Sequence, residues 1–210
     1  MSVLVGKSAP LFKAKAVING SEIIENFSLD QYKGKYVVFF FYPADFTFVC
    51  PTELLAFQEK AAEFSAKNTV IVGASTDSEF SHWKWLNTPT KQGGIEGVKY
   101  PLVADQNLQI SKAYDVLAGE EVWDEEGNES FAGEPKAYRG LFLIDKEGIV
   151  QHQVVNNMPL GRSVDEVIRV LDALQFTEEF GEVCPANWKK GDKALKPTQE
   201  GISDYLSSSK

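Results

Sequence analysis

The apolar positions of this chain follow two rhythms. Apolar-rich stretches occupy Val37–Tyr42, Val70–Ala74, Leu141–Ile144 and Ile149–Val155. All four read as strands, and Val37–Tyr42, which ends at Pro43, as one with both faces buried. Between or after them the spacing lengthens to that of a helix. In Pro51–Phe64, Leu54, Phe57, Ala61 and Phe64 fall on one face, and similar stripes mark Ser78–Leu86 and Leu108–Leu117. Strands alternating with helices predict an α/β domain with a mainly parallel sheet. Asp145-Lys146-Glu147-Gly148 lies between two strand runs and reads as a hairpin turn, so one pair is antiparallel and the sheet is mixed. Ser163 with Glu166 forms a capping box. It opens a helix whose stripe, Val164, Val167, Ile168, Leu171 and Leu174, is expected to close the core.

Two segments depart from these rhythms. Gly119–Gly133 carries Glu120, Glu121, Asp124, Glu125, Glu126 and Glu129 with no basic residue. It reads as an exposed loop or hairpin, a solvated loop being the simpler expectation. Beyond Gln175 the chain turns polar and rich in lysine, glycine and proline, too weakly periodic to build a core. Cys184 and Trp188 in this stretch predict docking on the chain's own domain or on a partner subunit. The expected division is a domain over 1–175 and a tail over 176–210.

Composition narrows the function. A chain of 210 residues, 43% hydrophobic and 24% charged, can build one good core. A net charge of −9 argues against nucleic acid and anionic membranes as partners. No window approaches the roughly 18 apolar residues of a membrane span. The first residues lack a signal-peptide pattern, which predicts a cytoplasmic protein. Only 2 cysteines occur, Cys50 and Cys184, and they form no CxxC pair. A thioredoxin-type dithiol and a zinc ribbon are therefore unsupported, and free or transiently bridged thiols are expected.

Cys50 carries the most chemical information. It follows the Val37–Tyr42 strand after a short loop, and Pro51 suits the first position of the next helix. Unpaired N–H groups and the helix dipole favour an anion there, which suits a reactive thiolate. The competing expectation is an inert buried cysteine. A cysteine–histidine hydrolase would need an oriented histidine base. The chain has 2 histidines, His82 and His152, both far in sequence from Cys50.

The residues around Cys50 resemble a known family. Pro43-x-x-x-Thr47-x-x-Cys50 is similar to the active-site signature of peroxiredoxins, and Phe46-Thr47-Phe48-Val49-Cys50-Pro51-Thr52-Glu53 to its form in the typical 2-Cys class, which includes alkyl hydroperoxide reductase C. Trp85-x-Asn87-Thr88-Pro89, Tyr138-Arg139-Gly140-Leu141-Phe142, Gly161-Arg162-Ser163-Val164-Asp165-Glu166 and Gly181-Glu182-Val183-Cys184-Pro185 extend the match along the chain. The resemblance implies a thioredoxin-like fold with a C-terminal extension. It implies a thiol-dependent peroxidase acting on hydrogen peroxide and organic hydroperoxides, with no metal or other cofactor. Cys50 would be the peroxidatic cysteine, and Cys184 of the partner subunit the resolving one. Pro43, Thr47 and Arg139 would line the peroxide pocket, with Glu53 and Arg162 orienting Arg139. A thioredoxin-like or flavoprotein disulfide reductase would return the electrons. The unit would be a homodimer, assembled further into a decamer. A holdase chaperone is the alternative the resemblance carries; a general disulfide oxidoreductase is disfavoured by the missing CxxC.

Magnitudes show what the site must supply. A thiol of pKa about 8.5 is a few per cent ionised at neutral pH, so full ionisation gains at most about 30-fold. Lowering the pKa also lowers intrinsic nucleophilicity. Most of the acceleration must come from donors placed where charge develops on the leaving oxygen; the Arg139 guanidinium, the Thr47 hydroxyl and loop N–H groups are the expected donors. The Glu53 charge opposes a nearby thiolate, which gives Arg139 and Arg162 a balancing task. Two elements depart from the form that over-oxidises readily in the family: the loop reads Gly93-Gly94-Ile95-Glu96 and the tail Tyr205-Leu206. Intermediate sensitivity to hyperoxidation is expected.

Overall fold

The computed structural model describes residues 3–208. The extreme positions of the N-terminal stretch and of the expected tail lie outside the described residues. In chain order the strands are β1 (Ala14–Ile18), β2 (Glu22–Phe27), β3 (Tyr36–Phe41), β4 (Thr69–Ser75), β5 (Leu102–Ala104), β6 (Glu120–Trp123), β7 (Glu129–Ala132), β8 (Arg139–Ile144) and β9 (Val150–Asn156). The helices are α1 (Cys50–Glu59), α2 (Ala61–Ala66), α3 (Glu79–Leu86), α4 (Gln109–Ala113), α5 (Val164–Phe180) and α6 (Gln199–Ser208).

One sheet of 7 strands runs β2-β1-β5-β4-β3-β8-β9. Strand β3 pairs parallel with β4, and β4 with β5. The remaining pairs of this sheet are antiparallel. The sheet is mixed, as expected, but not mainly parallel. The difference lies in β8, which runs antiparallel to β3, and in β1, which is antiparallel to both β2 and β5; β1, β2 and β5 were not announced by the apolar pattern. Strand β5 has 3 residues, and β2 alternates around charged Glu22 and Glu25, so neither presents a continuous apolar run.

All six positions of β3 are buried. Alternation along the strand sends its side chains to opposite faces. On one face Phe39 and Phe41 join Val72, Ala74, Val103, Tyr114 and Phe142 in the principal core. On the other, Phe40 stacks on Phe57 of α1 with ring centroids 4.5 Å apart. Burying one such phenylalanine is worth about 1.5–3 kcal/mol, so this pair fixes α1, and Cys50 at its start, against the sheet. Gly73 makes room for it: a Cβ there would stand 2.9 Å from Leu102 Cδ2 and 3.2 Å from the Phe40 ring.

The expected helix over 51–64 is divided into α1 and α2 at Lys60. The one expected over 108–117 stops after Ala113. Leu108 and Asp115 have φ of 62° and 54°, so the chain turns sharply at both ends of α4 and Leu117 instead bridges Ala137 in antiparallel fashion. The turn at Asp145–Gly148 is present, with Gly148 at φ 87° and β8 antiparallel to β9. The acidic segment is a hairpin: β6 and β7 pair only with each other. The Asp124 carboxylate accepts from the backbone N–H of Glu126 and Asn128 at 3.0 and 2.8 Å, which ties its turn.

The chain clusters into two compact units, one ending at Arg162 and one beginning at Ser163. The expected division at 175/176 falls inside α5. In the second unit the Ser163 side chain accepts from Glu166 N–H at 3.2 Å, as the capping box predicts, and Gly181 ends α5 at φ 67°. Trp188 is buried; its indole N–H donates to Asp192 O at 3.1 Å, and its ring lies 4.9 Å from that of Phe176. Helix α6 was not legible in the sequence.

Candidate active site

The loop between β3 and α1 is tied down before it reaches Cys50. Asp45 is buried. Its N–H donates to Asp77 Oδ2 at 2.8 Å, and its carboxylate accepts from the Tyr42 hydroxyl at 2.9 Å and meets His82 Nδ1 at 2.9 Å. His82 Nε2 faces the Val103 carbonyl at 3.2 Å. With an acceptor at each ring nitrogen, the imidazolium is the favoured form. Burial pushes the His82 pKa down, but the charge and hydrogen bond of Asp45, and then the charge of Asp77, outweigh it and leave the pKa raised. Held this way, Phe46 takes a left-handed φ of 53°, a conformation that persists in a non-glycine residue only where its surroundings over-determine it. The Thr47 hydroxyl then donates to Ala44 O at 2.8 Å, so it offers a substrate its lone pairs, where the sequence suggested a donor.

Cys50 begins α1 with Pro51 directly after it. The thiol is free and 1% exposed. Arg139, the first residue of β8, places Nη1 3.5 Å from Sγ. Three contacts hold that guanidinium: Nη1 to Cys50, Nη1 to Glu53 Oε2 at 2.6 Å, and Nε to Met158 O at 2.6 Å. Glu53, one turn into α1, is shared. Its Oε1 accepts from Arg162 N–H and Nε, each at 2.8 Å, and its Oε2 from Arg162 Nη2 at 3.0 Å. Arg162 Nη1 also donates to Gly140 O at 2.6 Å, and its guanidinium carbon sits 5.1 Å from the centre of the Phe40 ring. Burial raises the Glu53 pKa, but the hydrogen bonds and charge of Arg162, followed by the charge of Arg139, hold it below the ordinary carboxylate range. Two guanidinium groups against one carboxylate leave a surplus positive charge facing the sulfur.

Pro43, Thr47, Val49, Cys50 and Arg139 line a cavity of about 400 Å³. Phe48, Met158 and Pro159 give it apolar surface, and Glu134 and Lys136 line it as well. A larger cavity, about 540 Å³, lies between the Pro10–Lys15 stretch and α4 and contains no thiol. His82 is committed to Asp45 and Val103, so it is not a base for Cys50. The structure thus brings together Pro43, Thr47, Cys50, Glu53, Arg139 and Arg162, all expected from the sequence. Sequence reasoning missed Met158, Pro159, Glu134 and Lys136, which stand in no recognisable spacing, and the Asp45–His82 pair.

Cys184 belongs to the second unit. It is a free, half-buried thiol that donates to Ala173 O at 3.7 Å and lies 3.8 Å from Thr177 Oγ1. Antiparallel bridging of Val183 to Leu195 fixes the backbone beside it.

Fold and site together define a thiol-dependent oxidoreductase: a thioredoxin-like sheet presents one helix-start cysteine to an arginine held by a buried carboxylate. The AhpC/TSA family model matches residues 5–153, and the model for the C-terminal domain of 1-Cys peroxiredoxin matches residues 173–208. Peroxiredoxin-1 of Gallus gallus is 48% identical over 206 residues, covering 98% of this chain and 96% of that one. Alkyl hydroperoxide reductase C of Helicobacter pylori is 48% identical over 205 residues, covering 97% and 96%. The reduced 2-Cys peroxiredoxin of Plasmodium vivax superposes with a TM-score of 0.87 at 43% identity, covering 99% of this chain and all of that one. The chain belongs to the AhpC/TSA family and is a thiol-dependent peroxidase of the 2-Cys peroxiredoxin kind.

Proposed function

We propose that Cys50 reduces hydrogen peroxide and organic hydroperoxides, and that Cys184 of a partner subunit resolves the product. The Cys50 thiolate attacks the terminal peroxide oxygen. The S–O bond forms as the O–O bond breaks, and the departing alkoxide, or hydroxide from hydrogen peroxide, takes up a proton to leave as alcohol or water. Sulfur loses two electrons and the peroxide gains them. Arg139, 3.5 Å from Sγ, is placed to stabilise both the thiolate and the charge developing on the leaving oxygen. The Cys184 thiolate then attacks the sulfenic sulfur; the S–S bond forms and hydroxide leaves, protonated to water. An external dithiol of the thioredoxin-like or flavoprotein-reductase type restores both thiols.

Support for the substrate class comes from the cavity's apolar wall and from relatives named for alkyl hydroperoxide reduction and thioredoxin peroxidase activity. The working unit is a homodimer, carried further into a decamer, in the cytoplasm. Pro43 shapes the cavity wall and Thr47 accepts from the substrate O–H. Residues 176–210 act as the arm that brings Cys184 to its target.

The contact between Cys50 and Arg139 carries this reading. In stopped-flow oxidation with hydrogen peroxide, Arg139→Met should slow sulfenate formation by roughly 10²–10³-fold, the usual cost of removing a charge-stabilising donor. A change under threefold would remove Arg139 from the mechanism.

A further inference from the structure

The Cys50 cavity has a charged rim that the peroxidase reaction with hydrogen peroxide does not need. Its floor is buried: Cys50 is 1% exposed and the Arg139 side chain 4%. Its outer part is open, with the Lys136 and Glu134 side chains 40% and 66% exposed and Phe48 almost fully so. At about 400 Å³ it is within the range of small-molecule sites, roughly 300–1,000 Å³, and far larger than hydrogen peroxide requires. Lys136 is fixed at its backbone. Its carbonyl accepts from Ala118 N–H at 2.8 Å, and its N–H donates to Glu134 O at 2.7 Å. This stem joins the β6–β7 hairpin to β8. The ammonium is only loosely engaged, 3.7 Å from Glu134 Oε2, beyond hydrogen-bond distance.

A hydroperoxide attacked at its terminal oxygen by the buried sulfur must direct its organic substituent outward. That substituent therefore meets Phe48, Met158 and Pro159, then the Lys136–Glu134 pair. We infer that Lys136 is a specificity-determining residue that selects organic hydroperoxides bearing a carboxylate on the outward end, with Glu134 limiting the preference. The inference rests on the peroxidase reading of Cys50. The chemistry is unchanged: the thiolate takes the terminal oxygen, the peroxide is reduced by two electrons, and the leaving alkoxide is protonated.

The test compares cumene hydroperoxide with its para-carboxylate in single-turnover oxidation of the full chain, each rate divided by that variant's rate with hydrogen peroxide. The wild type should prefer the carboxylate, and Lys136→Met should lower the carboxylate-to-neutral ratio by up to about fivefold, the upper value of an exposed ion pair. Lys136→Arg should restore the ratio, and Glu134→Gln should raise it. High salt should move the wild-type ratio toward that of Lys136→Met. An unchanged ratio in both Lys136→Met and Glu134→Gln would overturn the inference. If Lys136→Met fails to fold, Glu134→Gln and the salt dependence decide it. Failure of the wild type to react quickly with hydrogen peroxide would instead overturn the peroxidase reading itself.

Discussion

Replacing Glu53 with glutamine tests how the site is held. The carboxylate is buried and accepts four hydrogen bonds, one from Arg139 Nη1 and three from Arg162. Glutamine keeps the side-chain oxygen that meets Arg162 N–H and Nε. Its amide nitrogen then faces the two donors that met Oε2, Arg139 Nη1 and Arg162 Nη2. Breaking a buried ion pair while leaving the cations behind costs about 3–5 kcal/mol, and the retained oxygen offsets part of that, so Glu53→Gln should lose about 3 kcal/mol in urea unfolding. Arg139 loses the anchor that aims it at Cys50, and a misplacement of this kind costs about 10²-fold in rate. The pH dependence has a definite sign. A carboxyl whose folded pKa is depressed contributes stability that is full above its unfolded pKa, about 4.3, and is lost as pH falls through the folded value. The variant should therefore show a flatter acid limb below about pH 4.3 than the wild type. Stability within about 0.5 kcal/mol of wild type, together with an unchanged rate of sulfenate formation, would refute the claim that the two arginines depend on this carboxylate.

His82, with a raised pKa, contributes stability that is full below about pH 6.5 and falls as pH rises through its folded value. His82→Phe should cost about 3 kcal/mol by leaving Asp45 buried without its cation and should abolish that slope in urea titrations between mildly acidic and mildly alkaline pH; a slope equal to wild type would point to another group. Gly140→Ala would put a Cβ 2.6 Å from Val116 Cγ1, next to the carbonyl that receives Arg162, so a loss of about 1–3 kcal/mol is expected from overpacking, read as a lower urea midpoint. Sulfinic acid at Cys50, followed by intact mass against peroxide dose, should accumulate at intermediate doses given Gly93-Gly94-Ile95-Glu96 and Tyr205-Leu206; resistance even at saturating peroxide would contradict this.

The strands that build the core were legible because β3, β4 and β8 are buried on both faces and leave unbroken apolar runs, each matched within a residue or two by the observed element. The site was legible because its chemistry is local at one end: Phe41, the loop, Cys50 and Glu53 lie within one strand–turn–helix. Arg139 and Arg162 required the family resemblance, since no spacing relates them to Cys50; the pairing of β8 with β3 brings Arg139 there, and the loop after β9 brings Arg162, which Glu53 and the Gly140 carbonyl hold. The edge strand β2 and its neighbour β1 hid behind polar alternation, and β5 behind its length. Helix α4 was overextended because Ile110, Tyr114 and Leu117 fall at helix-like intervals although Asp115 turns the backbone away. For β6–β7 the sequence left a hairpin or a solvated loop and favoured the loop, because its strands are mostly exposed and acidic and nothing in the apolar pattern decided between the two. The Asp45–His82 pair is a tertiary meeting of a loop and a helix that no sequence period encodes.

The most direct test of the central claim is a rapid-quench time course of reduced protein with one equivalent of hydrogen peroxide, resolved on a non-reducing denaturing gel for wild type, Cys50→Ser and Cys184→Ser. The account predicts a dimer-sized, reductant-sensitive band that forms within the quench timescale in wild type and in neither variant, with the Cys50 sulfenic acid accumulating in Cys184→Ser. A fast dimer band that survives Cys50→Ser, or oxidation of Cys50 no faster than that of free cysteine, would contradict it.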